Sequence, residues 1–171
     1  MPSRVLVIDT SVLCCWLRIP GKDTAGPDDD LWTPEKVELL LDEATTAGAT
    51  LVLPLAVLIE TGNHIAQCNG DRYALAGLLA QLLVDAVSGN SPWVPFAGQD
   101  TLWEEEGLLR LADTWPALAA RRISIGDATI KDVAEFYAES GLEVEIVTGD
   151  MGLRAYTPMA PVAQPRRRGG Q

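Results

Sequence analysis

Short apolar runs set far apart constrain this chain most. RVLVI at 4–8 and TLVLP at 50–54 are apolar almost throughout and rich in branched side chains. Such runs are too short for a core helix and suit strands buried on both faces. EVEIVT at 143–148 reads as another strand, and SPWVPF as a short one. Between them lie segments with helical signals. TSVLCCWL at 10–17 looks helical. TPEKVELLLDEATTAG at 33–48 has Thr33 to cap it, Pro34 at its first position and Gly48 at its end. Further helices are expected from Leu55 to Gln67, over 72–87 and over 127–140, where Gly141 stops the last. The stretch TLWEEEGLLRLADTWPALAA predicts a helix interrupted at Pro116. Residues 18–33, RIPGKDTAGPDDDLWT, read as a loop.

Strand and helix alternate, which implies an α/β fold with a mainly parallel sheet of four to five strands and helices on both faces. A length of 171 residues fits one domain, expected over 1–160, with 161–171 as a loose Pro/Arg/Gly tail. Cys14, Cys15 and Cys68 are an odd set with no zinc spacing, read as buried reduced thiols of a cytoplasmic protein. VLVI is cut off by Asp9 before it could form an export signal, and LVLPLAVLI falls far short of a membrane span. A net charge of -11 argues against a protein that coats nucleic acid, but not against nucleic acid as a substrate.

Ligands of parallel sheets gather at the carboxyl ends of the strands. Asp9 and Asp150 follow the first and last strands, Glu60 lies early in the helix after the second, and Asp127 opens the helix that feeds the last. Each acid has a plainer reading. Asp9, Thr10 or Ser11 could cap a helix, Ser124 and Asp127 match a capping box, Asp150 suits a turn, and Glu60 suits a polar helix face. Taken one at a time, those readings do not explain why four acids should share one edge.

VLVIDTSVL, LAVLIETGNHIA, SIGDATIKDVAEFYAESG and VEIVTGDMGL together resemble the PIN domain, whose acidic quartet runs in the order Asp, Glu, Asp, Asp. The resemblance covers residues 4–153. It implies a three-layer α/β/α Rossmann-like sandwich and a metal-dependent ribonuclease acting on an RNA substrate. It also implies kinship with VapC-like toxins of toxin–antitoxin pairs, hence an antitoxin-like protein partner and a homodimer. The loop at 18–33 and the region 90–122 look longer than in minimal toxins, and the usual basic character is missing.

The chemistry can be argued without the family. Phosphodiester hydrolysis needs an activated water and a stabilised leaving oxygen, both of which Mg²⁺ or Mn²⁺ can supply. Such hard cations prefer oxygen ligands, and they relieve the repulsion of clustered acids. Asp9, Glu60, Asp127 and Asp150 are thus expected as metal ligands, direct or through water. Ser11 and Thr148 are expected to support them by hydrogen bonds, with Thr10 a lesser candidate or a cap. Arg121, Arg122, Lys131 and Arg154 could hold RNA phosphates or be ordinary surface charge. The PRRRGG tail could add phosphate attraction or solubility.

His64, the one histidine, is expected to be a partly buried, hydrogen-bonded structural residue. Asp132 is expected to be solvated, as are the acidic runs 28–30 and 104–106. Trp32 is expected to be the most exposed tryptophan. Two other readings stand beside the ribonuclease. One is a catalytically idle PIN-like module that binds RNA or protein. The other is a haloacid-dehalogenase-type phosphatase, which would want an aspartate where Ser11 stands.

Overall fold

Every strand pairing is parallel, and the strand order explains where a site can form. The computed structural model describes residues 3–156 and 158; the tail expected over 161–171 lies outside them. The strands are β1 (Arg4–Ile8), β2 (Thr50–Leu53), β3 (Trp93–Pro95) and β4 (Glu143–Val147), in the order β3-β2-β1-β4. The chain steps outward from β1 to β3, then returns to lay β4 on the other side of β1. The reversal leaves a crevice at the carboxyl ends of β1 and β4, where open α/β sheets bind ligands.

The helices are α1 (Thr10–Trp16), α2 (Pro34–Thr46), α3 (Leu55–Gln67), α4 (Arg72–Ser88), α5 (Asp100–Trp103), α6 (Glu105–Ala119), α7 (Ile125–Glu139) and α8 (Met151–Arg154). They flank the sheet in an α/β/α sandwich, with α7 against β1 and β4, α2 against β2 and α4 against β3. Val5, Leu6, Val7 and Ile8 are each at most 1% exposed, as a central strand covered on both faces requires. All three cysteines are free and buried. Among the described residues no helix is long and apolar enough to cross a membrane.

Some expectations fail for physical reasons. The helical break in 101–120 falls at Glu104, whose backbone is extended, and not at Pro116, which α6 runs through. A Cβ on Gly107 would strike the Thr101 and Leu102 carbonyls, so glycine lets α6 start against the end of α5. Pro116 is tolerated because Ala112, the residue whose carbonyl it deprives of a partner, is exposed to water. Helix α7 begins two residues earlier than expected, with Ser124 as its cap and Asp127 in its first turn. Trp32 is half-buried, not exposed, because its indole Nε1 donates to the Thr148 carbonyl at 3.1 Å. Asp132 is half-buried between α6 and α7, and burial, then Glu135, raises its carboxyl above the ordinary range while Arg110 opposes.

The 18–33 loop carries a 3-10 turn at Asp28–Asp30 and an antiparallel bridge between Ala25 and Trp32. It lies tightly on the end of β4. A Cβ on Gly149 would come within 2.7 Å of the Gly26 nitrogen and 2.8 Å of the Ala25 Cβ. Gly149→Ala should therefore destabilise the fold by roughly 1–3 kcal/mol through overpacking. Gly77→Ala is the contrast. It lies inside α4 with nothing within 4 Å of its Cβ position, and should stabilise by roughly 0.5–1 kcal/mol. Urea denaturation of both variants checks the pair.

Candidate functional site

The four acids arrive from four elements and line one cavity of about 390 Å³ at the carboxyl ends of β1 and β4. A larger cavity, about 450 Å³, lies between α5, α6 and α7. The smaller one is the better site, because it sits where the sheet topology opens and it gathers chemistry from distant parts of the chain.

Asp9 is 5% exposed. A buried carboxylate needs donors, and Oδ2 collects them: Ser11 Oγ at 2.7 Å, Thr148 Oγ1 at 2.7 Å and the Ser11 amide at 3.4 Å. Both hydroxyls in turn accept backbone amides, Ser11 Oγ from Gly149 at 3.0 Å and Thr148 Oγ1 from Asp150 at 2.9 Å. Thr10 Oγ1 donates to Glu60 Oε2 at 2.7 Å, a role that reading Thr10 as a cap misses. Glu60 Oε1 packs where a Cβ on Gly126 would collide with it. Asp150 Oδ1 caps α8 by accepting the Leu153 amide at 2.9 Å. Among the described residues, the second oxygen of Asp9, of Glu60 and of Asp150 takes no protein donor. Each of these three acids thus spends one oxygen on the protein and keeps one spare. The cap readings and the site reading hold together, since a cap needs only one oxygen.

Asp127 stands at the third position of α7, where its amide donates to Ser124 Oγ at 3.0 Å. Burial first, with the charges of Asp9 and Asp150, pushes its carboxyl above the ordinary range, against the pull of Ser124. Cys14 also lines the cavity, and burial pushes its thiol up to about 11. It stays neutral near pH 7, so the charged donors are all oxygens. That set fits a hard dication. Among the described residues no three His, Cys, Asp or Glu side chains already stand around one point; Mg²⁺ typically keeps several waters and few protein ligands.

His64 is half-buried and lines the same cavity, four residues after Glu60 on α3. The partial burial expected of it is found, but its side chain makes no hydrogen bond among the described residues. Its placement follows from the helical spacing to Glu60. Lys22 also lines this cavity and had no signal as a site residue beyond its turn motif.

A second cavity of about 250 Å³ meets the first at Asp127 and Asp150 and is lined by Arg121, Arg122 and Lys131. Arg154 is not with them. It pairs with Asp30 at 2.7 Å and lines a separate cavity beside Trp32 and Tyr156. The chain leaves α6 by a turn in which the Ile123 amide reaches the Leu118 carbonyl and the Arg122 amide reaches that of Ala119. This is the Schellman pattern, whose left-handed position usually holds glycine. Here Arg122 holds it, at φ 64°.

Compared with protein-family models, with curated proteins and with solved structures, the chain gives no significant match.

Two outcomes follow from this geometry. Asp127 binds its proton more tightly folded than unfolded. Its contribution to metal-free stability is present below the unfolded pKa and lost as pH rises through the folded one. The difference in metal-free melting temperature between Asp127→Asn and wild type should therefore grow in the variant's favour as pH rises from below the ordinary aspartate range towards neutrality. Arg122→Gly should stabilise by roughly 0.5 kcal/mol, from about 1–2 kcal/mol of left-handed strain relieved less about 0.4–1 kcal/mol of added chain entropy. Thermal and urea melts of the two variants test both.

Proposed function

We propose that this protein is a metal-dependent ribonuclease that hydrolyses RNA phosphodiester bonds in the manner of the PIN domain it resembles. The observation that carries the reading is the convergence of Asp9, Glu60, Asp127 and Asp150 on one cavity at the switch point between β1 and β4. The choice of RNA rests on the resemblance.

Asp9, Glu60 and Asp150 would hold Mg²⁺ or Mn²⁺ through their spare oxygens, with Asp127 beside them. When bound, such an ion lowers the pKa of water and stabilises charge on the reacting phosphate. Ser11 and Thr148 orient Asp9, and Thr10 orients Glu60, by the hydrogen bonds given above. Arg121, Arg122 and Lys131 would hold backbone phosphates at the edge of the acids. In the reaction, the oxygen of water bonds to phosphorus, the ester P–O bond breaks, and the departing oxygen takes up a proton. A protein partner of the antitoxin kind and a second copy of the chain are further proposals of the resemblance, and neither enters these steps.

The wild-type protein should cut RNA with Mg²⁺ or Mn²⁺ and stop in excess EDTA. Asp150→Asn keeps the α8 cap but removes a charged ligand. It should lower the cleavage rate roughly 100-fold or more and shrink the rise in melting temperature that Mn²⁺ gives. Asp132→Asn removes a carboxylate of α7 that lines a different cavity, and should do neither. Equal behaviour of the two variants, or cleavage undiminished by EDTA, would sink the reading. Binding of RNA without cleavage under any metal condition would favour the idle module.

A further inference from the structure

We propose that Lys22 is a substrate-binding residue, gripping a backbone phosphate in the cavity of the four acids, while Arg121, Arg122 and Lys131 line the cavity that adjoins it at Asp127 and Asp150. A single-stranded polynucleotide then crosses the carboxylates with cations in both cavities. The inference rests on the ribonuclease reading and adds a contact that neither the motifs nor the acids required.

The local sequence builds a rigid mount for this lysine. In Ile19-Pro20-Gly21-Lys22, proline and glycine stand at the second and third positions of a tight turn. Gly21 has φ 78° and the Lys22 amide donates to the Ile19 carbonyl at 2.8 Å, as a type II turn requires. The turn is fixed on three sides. Ile19 is fully buried. The Pro20 ring lies so close to Gly70 that a Cβ there would be 2.8 Å from its Cγ. The Cys15 thiol donates to the Asp23 carbonyl at 3.3 Å.

The side chain of Lys22 is exposed and lines the cavity of the four acids. Among the described residues it makes no ion pair, as is also true of Arg121, Arg122 and Lys131 at the adjoining cavity and of Arg72 and Arg110 elsewhere. A cation beside a metal-binding cluster, anchored at its base and unpaired at its tip, is free to take an anion. The cavity that Lys22 lines, about 390 Å³, has the capacity of a small-molecule site, and the smaller one adjoins it at Asp127 and Asp150. Together they offer a path for successive nucleotides of one strand.

The test is binding, separate from turnover. Affinity for a single-stranded RNA oligonucleotide is measured in Ca²⁺ across a range of salt, with a gel showing the RNA uncut, and cleavage is measured apart in Mn²⁺. Lys22→Gln should weaken binding roughly 5-fold near 0.1 M salt. It should also reduce the slope of log affinity against log salt by about 0.7, one phosphate contact on a single strand. Lys22→Arg should restore both. Arg4→Gln, which removes the same charge at the amino end of β1, should change neither. If wild type binds and cuts RNA but Lys22→Gln binds it unchanged, the proposal fails and the ribonuclease reading stands. The proposal fails equally if Lys22→Gln only tightens Mn²⁺ binding, which would make Lys22 a counter-ion of the acids. If wild type neither binds nor cuts any RNA, both readings fall.

Discussion

The site depends on how a buried carboxylate is satisfied. Asp9 stands at the end of the central strand with almost no contact with water, and its Oδ2 is served by hydroxyls from Ser11 and Thr148. Each hydroxyl also receives an amide from the segment after β4. The result is a closed relay that ties the carboxyl ends of β1 and β4 across the switch point. It fixes the orientation of the Asp9 carboxyl, and it places Asp150 by holding its amide. Remove the relay and two things go together: the solvation of the buried charge and the alignment of the two strand ends.

Much of this was legible in the sequence, and the limits follow from the physics of each signal. Apolar runs such as RVLVI and caps such as Thr33-Pro34 act locally, so the strands and most helix ends could be read directly. The strand order came from none of them, because it is set by long-range packing. The acids could be identified from motif and position, and their shared cavity agrees. Misreadings arose where a local rule met a distant partner. Trp32 reads as exposed in a polar loop until Thr148, 116 residues away, supplies an acceptor for its indole. Pro116 reads as a break until its exposed turn is seen, while the true break at Glu104 depends on how closely Gly107 approaches α5. Arg154 reads equally as a phosphate contact or as surface charge, and its pair with Asp30 sets it apart from the other cations. Lys22 carried only the signature of a turn, and nothing in a turn says what its last residue will face.

On the proposed ribonuclease reading an acidic protein has to act on a polyanion, which is a general difficulty. With a net charge of -11, the molecule as a whole repels phosphate, so attraction has to be local. Its cations near the acids are few and sit at their edges, where Debye screening leaves them most influence at short range. On that reading a phosphate chain is repelled by the molecule as a whole and finds relief where Lys22, Arg121, Arg122 and Lys131 flank the acids.

Asp30 adds a last consequence. It accepts from Lys36 and pairs with Arg154, both at 2.7 Å, and Lys36 first, then Arg154, holds its carboxyl below the usual range. These bonds lie in water, whereas the bond from the half-buried Trp32 indole to the carbonyl of buried Thr148 is partly sheltered. The wall beside the acids therefore has two fasteners that answer to different solvents. Salt screens the outer one and spares the inner one. Ionic strength thus loosens the outer bonds of the wall while leaving its attachment to Thr148 in place.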